Sequence, residues 1–143
     1  MTVSDQTIRA VLEQTRTIAL IGASPKPERP SYRVMRFLLD QGYTVYPVNP
    51  GQAGNQLHSQ MVYASLADIP EPIDMVDIFR RSEDVGPIVE QAQAIKAKTI
   101  WMQLGVSNDT AASTARASGM TVVMNRCPAI ELPRLKAAYS DGQ

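Results

Sequence analysis

The sequence predicts an α/β fold in which a doubly wound, mainly parallel five-stranded sheet carries helices on both faces. The apolar run at residues 17–21 lacks polar alternation, as is typical of a strand that is covered on both sides. Further short apolar runs follow it, and segments with helical spacing of apolar residues separate most of them. Strands that alternate with helices in this way favour parallel pairing through right-handed crossovers.

Length and composition indicate a single Rossmann-like domain over residues 1–143. Hydrophobic residues make up 44% and charged residues 20% of the chain, which suits a folded globular protein rather than a disordered one. Fourteen basic residues balance fourteen acidic ones. Because no net charge attracts nucleic acid or an anionic membrane, the sequence predicts a small ligand and a local anion site.

Cysteine and histidine usage indicates a reducing compartment and no metal centre. Cys127 is the single cysteine and His58 the single histidine, so neither a disulfide framework nor a zinc-binding spacing is present. The N-terminus lacks the pattern of a secretory signal, and no apolar run approaches the ~18 residues of a membrane span. We therefore expect a cytoplasmic protein that binds neither a membrane nor a metal ion.

The first half of the chain is predicted to form a helix, a strand, a second helix and a second strand. Apolar residues recur at helical spacing over residues 4–16, where Ser4 can cap the helix. After the strand at 17–21, three prolines keep the loop extended and delay the next helix until Ser31. Gly42 is expected to end that helix in the left-handed conformation, before a strand at 43–48.

The second half continues the alternation. The strand predicted at 73–79 carries Asp74 and Asp77 on opposite faces, and we interpret both as structural carboxylates because neither has an acid–base partner in sequence. Ser82 is expected to cap a helix that extends to Ile95, with acidic residues in its first turn. The other predicted elements are a helical turn at 65–69, a strand at 99–103, a helix at 108–118 that Gly119 ends, and a strand at 120–124.

Ligands of open parallel sheets bind outside the carboxyl ends of the strands, near the point where the strand order reverses. This rule selects five loops, at 22–33, 49–51, 79–85, 103–107 and 125–128. Amides at a helix N-terminus together with arginines suit phosphate groups. The loops are expected to supply free amides at Gly22, Ala23 and Gly105, hydroxyls at Ser24, Ser31 and Ser82, and cations at Lys26, Arg29, Arg33, Arg80, Arg81 and Arg126, although Arg80 and Arg81 cannot both point inward.

A dinucleotide is the first alternative ligand for such a rim. The loop that begins at Gly22 holds only the first glycine of the G-x-G-x-x-G pattern. The second strand ends in Asn49 and Pro50, where a nicotinamide-binding fold places an acidic residue for the ribose hydroxyl. Both departures count against NAD.

Five ordered motifs extend over nearly the whole chain: IGAS at 21–24, YPVNP at 46–50, VDIFR at 76–80, MQLG at 102–105 and RCPAIE at 126–131. In these motifs the sequence resembles the small, stand-alone bacterial CoA-binding proteins of the YccU type. It resembles, more distantly, the N-terminal CoA-binding domain of the α subunit of succinyl-CoA synthetase, which likewise has a Cys-Pro pair after its last strand. The later synthetase domain, which carries the phosphorylated histidine, has no counterpart here, so ligase activity is not implied.

The resemblance implies coenzyme A or an acyl-CoA as the ligand. It places the CoA phosphates at the loop of residues 22–26, the nucleotide at Asn49 and Pro50, and the adenosine and pantetheine portions along the loop that begins at Phe79. The predicted cofactor-binding residues are Gly22, Ala23, Ser24, Lys26, Arg33, Asn49, Pro50, Phe79, Arg80, Ser82, Gln103, Gly105 and Cys127.

No constellation of acid, base and nucleophile is recognisable, so a noncatalytic binding, carrier or sensor protein is expected. The alternative is a small enzyme on the same scaffold, either NAD(P)-linked or exchanging thiols with CoA through Cys127. A free cysteine is also a common small core residue, and nothing in the sequence ties His58 to it as a base. His58 itself is expected at the surface, and no protein partner is predicted.

Overall fold

The structure is a computed structural model that describes residues 3–141, with side chains as far as residue 136. The predicted domain of residues 1–143 therefore includes four terminal positions outside the described part. Its helices are α1 (Asp5–Gln14), α2 (Pro30–Asp40), α3 (Val85–Ala94), α4 (Asp109–Ala117) and α5 (Pro128–Asp141). Its strands are β1 (Thr17–Ile21), β2 (Thr44–Val48), β3 (Gln56–Leu57), β4 (Gln60–Met61), β5 (Met75–Ile78), β6 (Thr99–Met102) and β7 (Thr121–Val123).

Five of these strands form one parallel sheet in the order β2-β1-β5-β6-β7. This confirms the predicted doubly wound, Rossmann-like α/β fold. The chain leaves β1 for β2 on one side and returns to β5 on the other, so the strand order reverses between β1 and β5. The two short strands β3 and β4 form a separate antiparallel hairpin in the polar segment after β2.

Side chains of the sheet alternate between two hydrophobic clusters. Ala19 and Ile21 of β1 point into a cluster shared with α3 and α4, whereas Ile18 and Leu20 point into one shared with α1, α2 and α5. Trp101 of β6 is fully buried in the second cluster. Because each strand is covered on both faces, nearly every side chain of β1, β5 and β6 is apolar and buried, which is the signal that the sequence carried.

Helix boundaries follow the predicted capping residues with one exception. The Ser4 hydroxyl accepts a hydrogen bond from the Thr7 amide at 3.1 Å, and Gly42 and Gly119 follow their helices with φ of 97° and 89°. The prediction that Ser82 caps α3 is wrong, because residues 82–84 form a 3₁₀ turn and α3 starts at Val85 without a side-chain cap. Helix α5, after the last strand, was not predicted.

The two aspartates of the third predicted strand differ. Asp74 accepts hydrogen bonds from the amides of Arg16 and Thr17 at 2.9 and 3.2 Å and pairs with Lys98 at 3.4 Å, which confirms it as a structural carboxylate. Partial burial raises the pKa of Asp74, but the two backbone bonds and Lys98 outweigh that effect and leave the pKa lowered. Asp77 is fully buried and accepts no hydrogen bond from any described residue.

Candidate functional site

A cleft of about 860 Å³ opens at the carboxyl ends of the parallel strands, above the reversal point between β1 and β5. Its walls come from the loops after β1, β2, β5, β6 and β7, which are the five loops that the sequence selected. Nine of the thirteen predicted binding residues line it: Gly22, Ala23, Ser24, Lys26, Asn49, Phe79, Arg80, Gln103 and Cys127.

Two of the other four predicted residues lie outside the lining because their backbone geometry directs them elsewhere. Arg33 is exposed on α2, and its Nη1 donates to the carbonyl oxygen of Glu28 at 3.2 Å. Pro50 starts an exposed 3₁₀ turn, Pro50–Gln52, that leads away from the end of β2. Gln52, at the end of that turn, lines the cleft instead.

Ser82 and Gly105, the remaining two, connect neighbouring loops. The Ser82 hydroxyl accepts a hydrogen bond from the Ser107 amide at 3.0 Å, and its carbonyl accepts one from Nδ2 of Asn108 at 2.9 Å. The Gly105 amide donates to Oδ1 of Asn125 at 2.8 Å. Both residues therefore fix the positions of the loops after β5, β6 and β7.

The prediction of free amides at Gly22, Ala23 and Gly105 is wrong. The amides of Gly22 and Ala23 both donate to the carbonyl oxygen of Val48, at 2.9 and 3.3 Å, and that of Gly105 is bound as described above. Hydrogen bonding between β1 and β2 extends past the end of β1 and occupies the first two loop amides. Gly22 does have the expected positive φ, at 87°.

Asn49 fastens the end of β2 to the loop after β1. Its Nδ2 donates to the carbonyl oxygen of Ala23 at 2.8 Å, and its Oδ1 accepts from the amide of Gly51 at 2.9 Å. The side-chain amide is therefore committed at both ends, and its role in the cleft is to shape the wall.

The start of α2 supplies the best anion-binding geometry of the cleft. Arg29 occupies the N-cap position with no side-chain cap, Pro30 follows it, and Ser31 is buried in the first turn. All three residues line the cleft, as does Lys26. Pro30 has no amide N–H and the Tyr32 amide donates to the carbonyl oxygen of Arg29 at 3.1 Å, so the amide of Ser31 remains as a first-turn donor for an anion. The partial positive charge of the helix N-terminus and the two cations beside it add to the attraction.

The arginines of the rim have different surroundings. Arg80 lines the cleft, is half-buried and forms no ion pair with any described residue. Arg81 borders the cleft too, but its side chain is 75% exposed and pairs with Asp84 at 3.3 Å. Arg126, which was predicted in the rim, lies outside the lining, because its Nη1 pairs with the buried Glu131 at 3.2 Å.

Part of the cleft lining is less polar. Phe79, Leu104 and Val106 contribute apolar side chains, of which Leu104 is 56% exposed, and Gln103 and Cys127 border the same space while exposing only 4% and 6% of their area. The Cys127 carbonyl accepts from the amides of Ile130 and Glu131 at 2.9 Å, so this cysteine precedes the first turn of α5. Cys127 thus belongs to the core and to the cleft wall.

Several lining residues were not among the predicted binding residues. Ser31, Arg29 and Arg81 were recognised as rim groups only, and Val34 was recognised only as part of the apolar stripe of α2. Gln52 lies in a segment whose composition indicates only a polar loop, so its position in the cleft had no clear sequence signal. The lining residues outside the prediction are Pro25, Arg29, Pro30, Ser31, Val34, Gln52, Arg81, Asp84, Leu104 and Val106.

Fold and cleft together define an α/β protein with a site for a small molecule at its strand ends, where the cations suit an anionic ligand. The chain matches the family model of the CoA binding domain over residues 16–133. It belongs to that family, which confirms the resemblance found in its motifs. Among residues 3–141, no helix combines the length and the apolar character that a bilayer crossing requires.

Individual relatives cover different shares of the chain. The uncharacterized protein YneT of Bacillus subtilis is 34% identical over 120 residues, which are 84% of this chain and 87% of YneT. A hypothetical protein from Pyrococcus horikoshii is 41% identical, with a TM-score of 0.87 over 93% of this chain and 92% of its own. The alpha subunit of an ADP-forming acetate–CoA ligase I from Pyrococcus furiosus is 32% identical over 80 residues, which are 53% of this chain but only 17% of that subunit.

Proposed function

We propose that the protein binds coenzyme A or an acyl-CoA in the cleft and serves as a noncatalytic binding, carrier or sensor module. One observation carries this proposal: the same cleft is lined by cations at the start of α2, Lys26 and Arg29, and by less polar side chains that include Phe79, Val106 and Cys127. CoA likewise combines phosphates with a less polar pantetheine arm that ends in a thiol. Membership of the CoA binding domain family supports the same ligand.

The proposed roles of the lining residues follow from their positions. Lys26, Arg29 and the Ser31 amide at the start of α2 bind phosphate oxygens, while Ser24, whose hydroxyl accepts from the Lys26 amide at 3.2 Å, shapes the loop. Arg80, in the loop after β5, adds a further cation to the lining. The apolar interior and Gln103 accommodate the pantetheine arm.

Noncatalytic binding is favoured by the titratable groups that line the cleft. Apart from cations, the lining contains Asp84, which pairs with Arg81, and Cys127. General acid–base catalysis needs a positioned group with access to the substrate. His58 is held elsewhere, since its Nε2 bonds to the carbonyl oxygen of Tyr32 at 3.0 Å and its ring packs on that tyrosine.

Thiol exchange with CoA is the second candidate, because Cys127 is the nucleophilic side chain in the cleft wall. An NAD(P)-linked enzyme is less well supported, since β2 is followed by Asn49, whose side chain bonds to Ala23 and Gly51, and not by the acidic residue that binds a ribose hydroxyl.

Mass spectrometry of ligand released from protein purified without added nucleotide tests the assignment. We expect CoA or an acyl-CoA. Recovery of NAD or NADP instead, or failure of CoA to bind in calorimetry, would overturn it.

A further inference from the structure

Only two residues in the described part of the chain have buried side-chain oxygens without a hydrogen-bond partner. They are Asp77, with both carboxyl oxygens, and Gln103, with Oε1. Asp77 is 0% exposed and Gln103 4% exposed. A buried polar atom without a partner destabilises the folded state, so three such oxygens require an explanation.

The sheet register makes the two residues neighbours. Asp77 of β5 pairs with Trp101 of β6, and Gln103 follows two residues later, where its amide donates to the carbonyl oxygen of Ile78 at 3.3 Å and extends the ladder. Side chains alternate along a strand, so Asp77, Trp101 and Gln103 project from the same face. Diagonal neighbours of this kind are about 7–8 Å apart at the backbone, a distance that long side chains span.

The three oxygens are all acceptors as long as Asp77 is ionised. A protonated carboxyl group gains one O–H donor, and a single proton then pairs Asp77 with Gln103. Burial raises the pKa of Asp77 well above its ordinary value, with no charged neighbour to oppose the effect. Burial thus favours the neutral acid over the carboxylate.

Among the side chains that the structure describes on the helices covering this face, the charged groups are engaged elsewhere or exposed. Helix α2 buries only Ser31 and apolar side chains against the sheet, and α1 contributes the half-buried Arg9, which has an interaction of its own. Helix α5 begins beside Cys127 and contributes Glu131, which is already paired with two arginines.

We propose that Asp77 is a positioning residue: its carboxyl group carries a proton at neutral pH and donates it to Oε1 of Gln103, which directs the amide N–H donors of Gln103 into the cleft. The orientation of the Gln103 amide agrees with this role. Its Oε1 is buried without a partner, whereas its Nε2 is not among the buried atoms that lack one. Gln103 also lines the cleft, so Nε2 can face the ligand. An ionised Asp77 would instead draw the N–H donors inward and leave Oε1 in the cleft.

The two donors select a carbonyl acceptor in the ligand. This step rests on the proposed function: in CoA, the amide carbonyls of the pantetheine arm are acceptors of this kind, and they are the part of the ligand that the cationic rim does not recognise. The buried Asp77 thus determines whether the ligand meets the N–H donors or the oxygen acceptor of the Gln103 amide.

Carbon-13 NMR of the ligand-free protein, labelled at the aspartate carboxyl carbons, tests the proton directly. The signal that disappears in Asp77→Asn should keep the shift of a neutral acid from about pH 5 to about pH 8, whereas Asp5, which is exposed at the start of α1 and has its pKa lowered by a hydrogen bond from Arg134, should show the shift of a carboxylate once it is assigned through Asp5→Asn. A carboxylate shift for Asp77 at neutral pH would overturn the proposal, whether or not CoA binds.

Calorimetry with CoA tests the positioning. Asp77→Asn retains an N–H donor for Oε1 and should bind within about threefold of wild type, whereas Asp77→Leu and Gln103→Leu should each weaken binding about tenfold. The double variant, Asp77→Leu with Gln103→Leu, should bind CoA no more weakly than either single variant. Wild-type affinity of a folded Asp77→Leu protein, or additive losses, would refute the coupling. If wild type itself fails to bind CoA, the proposed function falls while the NMR result still decides the state of Asp77.

Discussion

A Cβ atom on Gly22 would lie 2.3 Å from the carbonyl oxygen of Phe79. The two residues face each other where β1 and β5 end, and the Phe79 amide donates to the carbonyl oxygen of Ile21 at 2.8 Å. Glycine is therefore required by backbone packing at the reversal point as well as by its φ of 87°. A side chain at Gly22 therefore meets the backbone of Phe79 before it could obstruct a ligand.

Gly22→Ala should destabilise the fold. Gly119 has nearly the same φ, at 89°, but an added Cβ would meet nothing within 4 Å, so Gly119→Ala isolates the cost of the backbone conformation. We expect Gly119→Ala to cost about 1 kcal/mol and Gly22→Ala at least about 1 kcal/mol more. Urea denaturation measures both values. Equal losses would show that the contact with Phe79 relaxes without cost.

CoA should bind more tightly than NAD. The cleft lacks an acidic ribose anchor at the end of β2, and its cations can bind the additional 3′-phosphate of CoA. Dephospho-CoA, which keeps the pyrophosphate, should bind more weakly than CoA by roughly 1.5–3 kcal/mol. Calorimetry under one salt condition compares the three ligands. An affinity for NAD equal to that for CoA would contradict the assignment.

Lys26→Ala and Ser24→Ala should each weaken CoA binding by roughly 1–3 kcal/mol while the fold stays intact. Lys26 is an exposed cation beside the uncapped start of α2, and Ser24 holds the loop through the Lys26 amide. Lys136→Ala, at an exposed position of α5 outside the cleft lining, is the matched control and should leave the affinity unchanged. If the Lys26 and Ser24 variants bind like this control, the phosphates lie elsewhere.

CoA disulfide should form a mixed disulfide with Cys127. In this reaction the Cys127 thiolate attacks one sulfur of CoA disulfide, whose S–S bond breaks as the protein–CoA bond forms, and one CoA leaves as a thiolate that takes up a proton. Intact-mass analysis should detect one CoA-sized adduct, which Cys127→Ser abolishes. If folded wild-type protein binds CoA but gains no adduct, Cys127 is only a core residue.

Asp77→Asn should gain stability relative to wild type as the pH rises. With its raised pKa, Asp77 keeps its proton in the folded protein. In the unfolded chain it loses that proton at any pH above the ordinary pKa of an aspartate, so the wild-type free energy of unfolding decreases as the pH rises. Removing this group removes that loss, which amounts to at most about 1.4 kcal/mol per pH unit. Urea denaturation from about pH 5 to about pH 8 measures the difference, with Asp40→Asn as control. A pH-independent difference would mean that folded Asp77 is ionised.

Much of the fold could be predicted because its signals are local. Strands of a parallel sheet that is covered on both faces carry mostly apolar residues, and the helices between them carry their own caps and stop signals, as at Ser4 and Gly119. Helix α5 was missed, since Pro133 lies within it and the amphipathic pattern around that proline is weak. Ser82 was misassigned because a serine hydroxyl can accept a hydrogen bond from an amide of the following helix or from an amide of a neighbouring loop. Which amide lies within reach depends on tertiary packing.

The sequence by itself determined the edge of the sheet that holds the cleft and the chemical character of its rim, because strand direction and residue type are encoded locally. A cytoplasmic location also follows from the sequence alone and stays a prediction. Tertiary structure decided which groups are available: Val48 occupies the amides of Gly22 and Ala23, Glu131 engages Arg126, and the uncapped start of α2 remains for an anion. These outcomes depend on contacts between residues that are distant in the chain. Each hydrogen-bonding group has a limited number of partners, and no local sequence pattern specifies which partner lies closest in the folded protein.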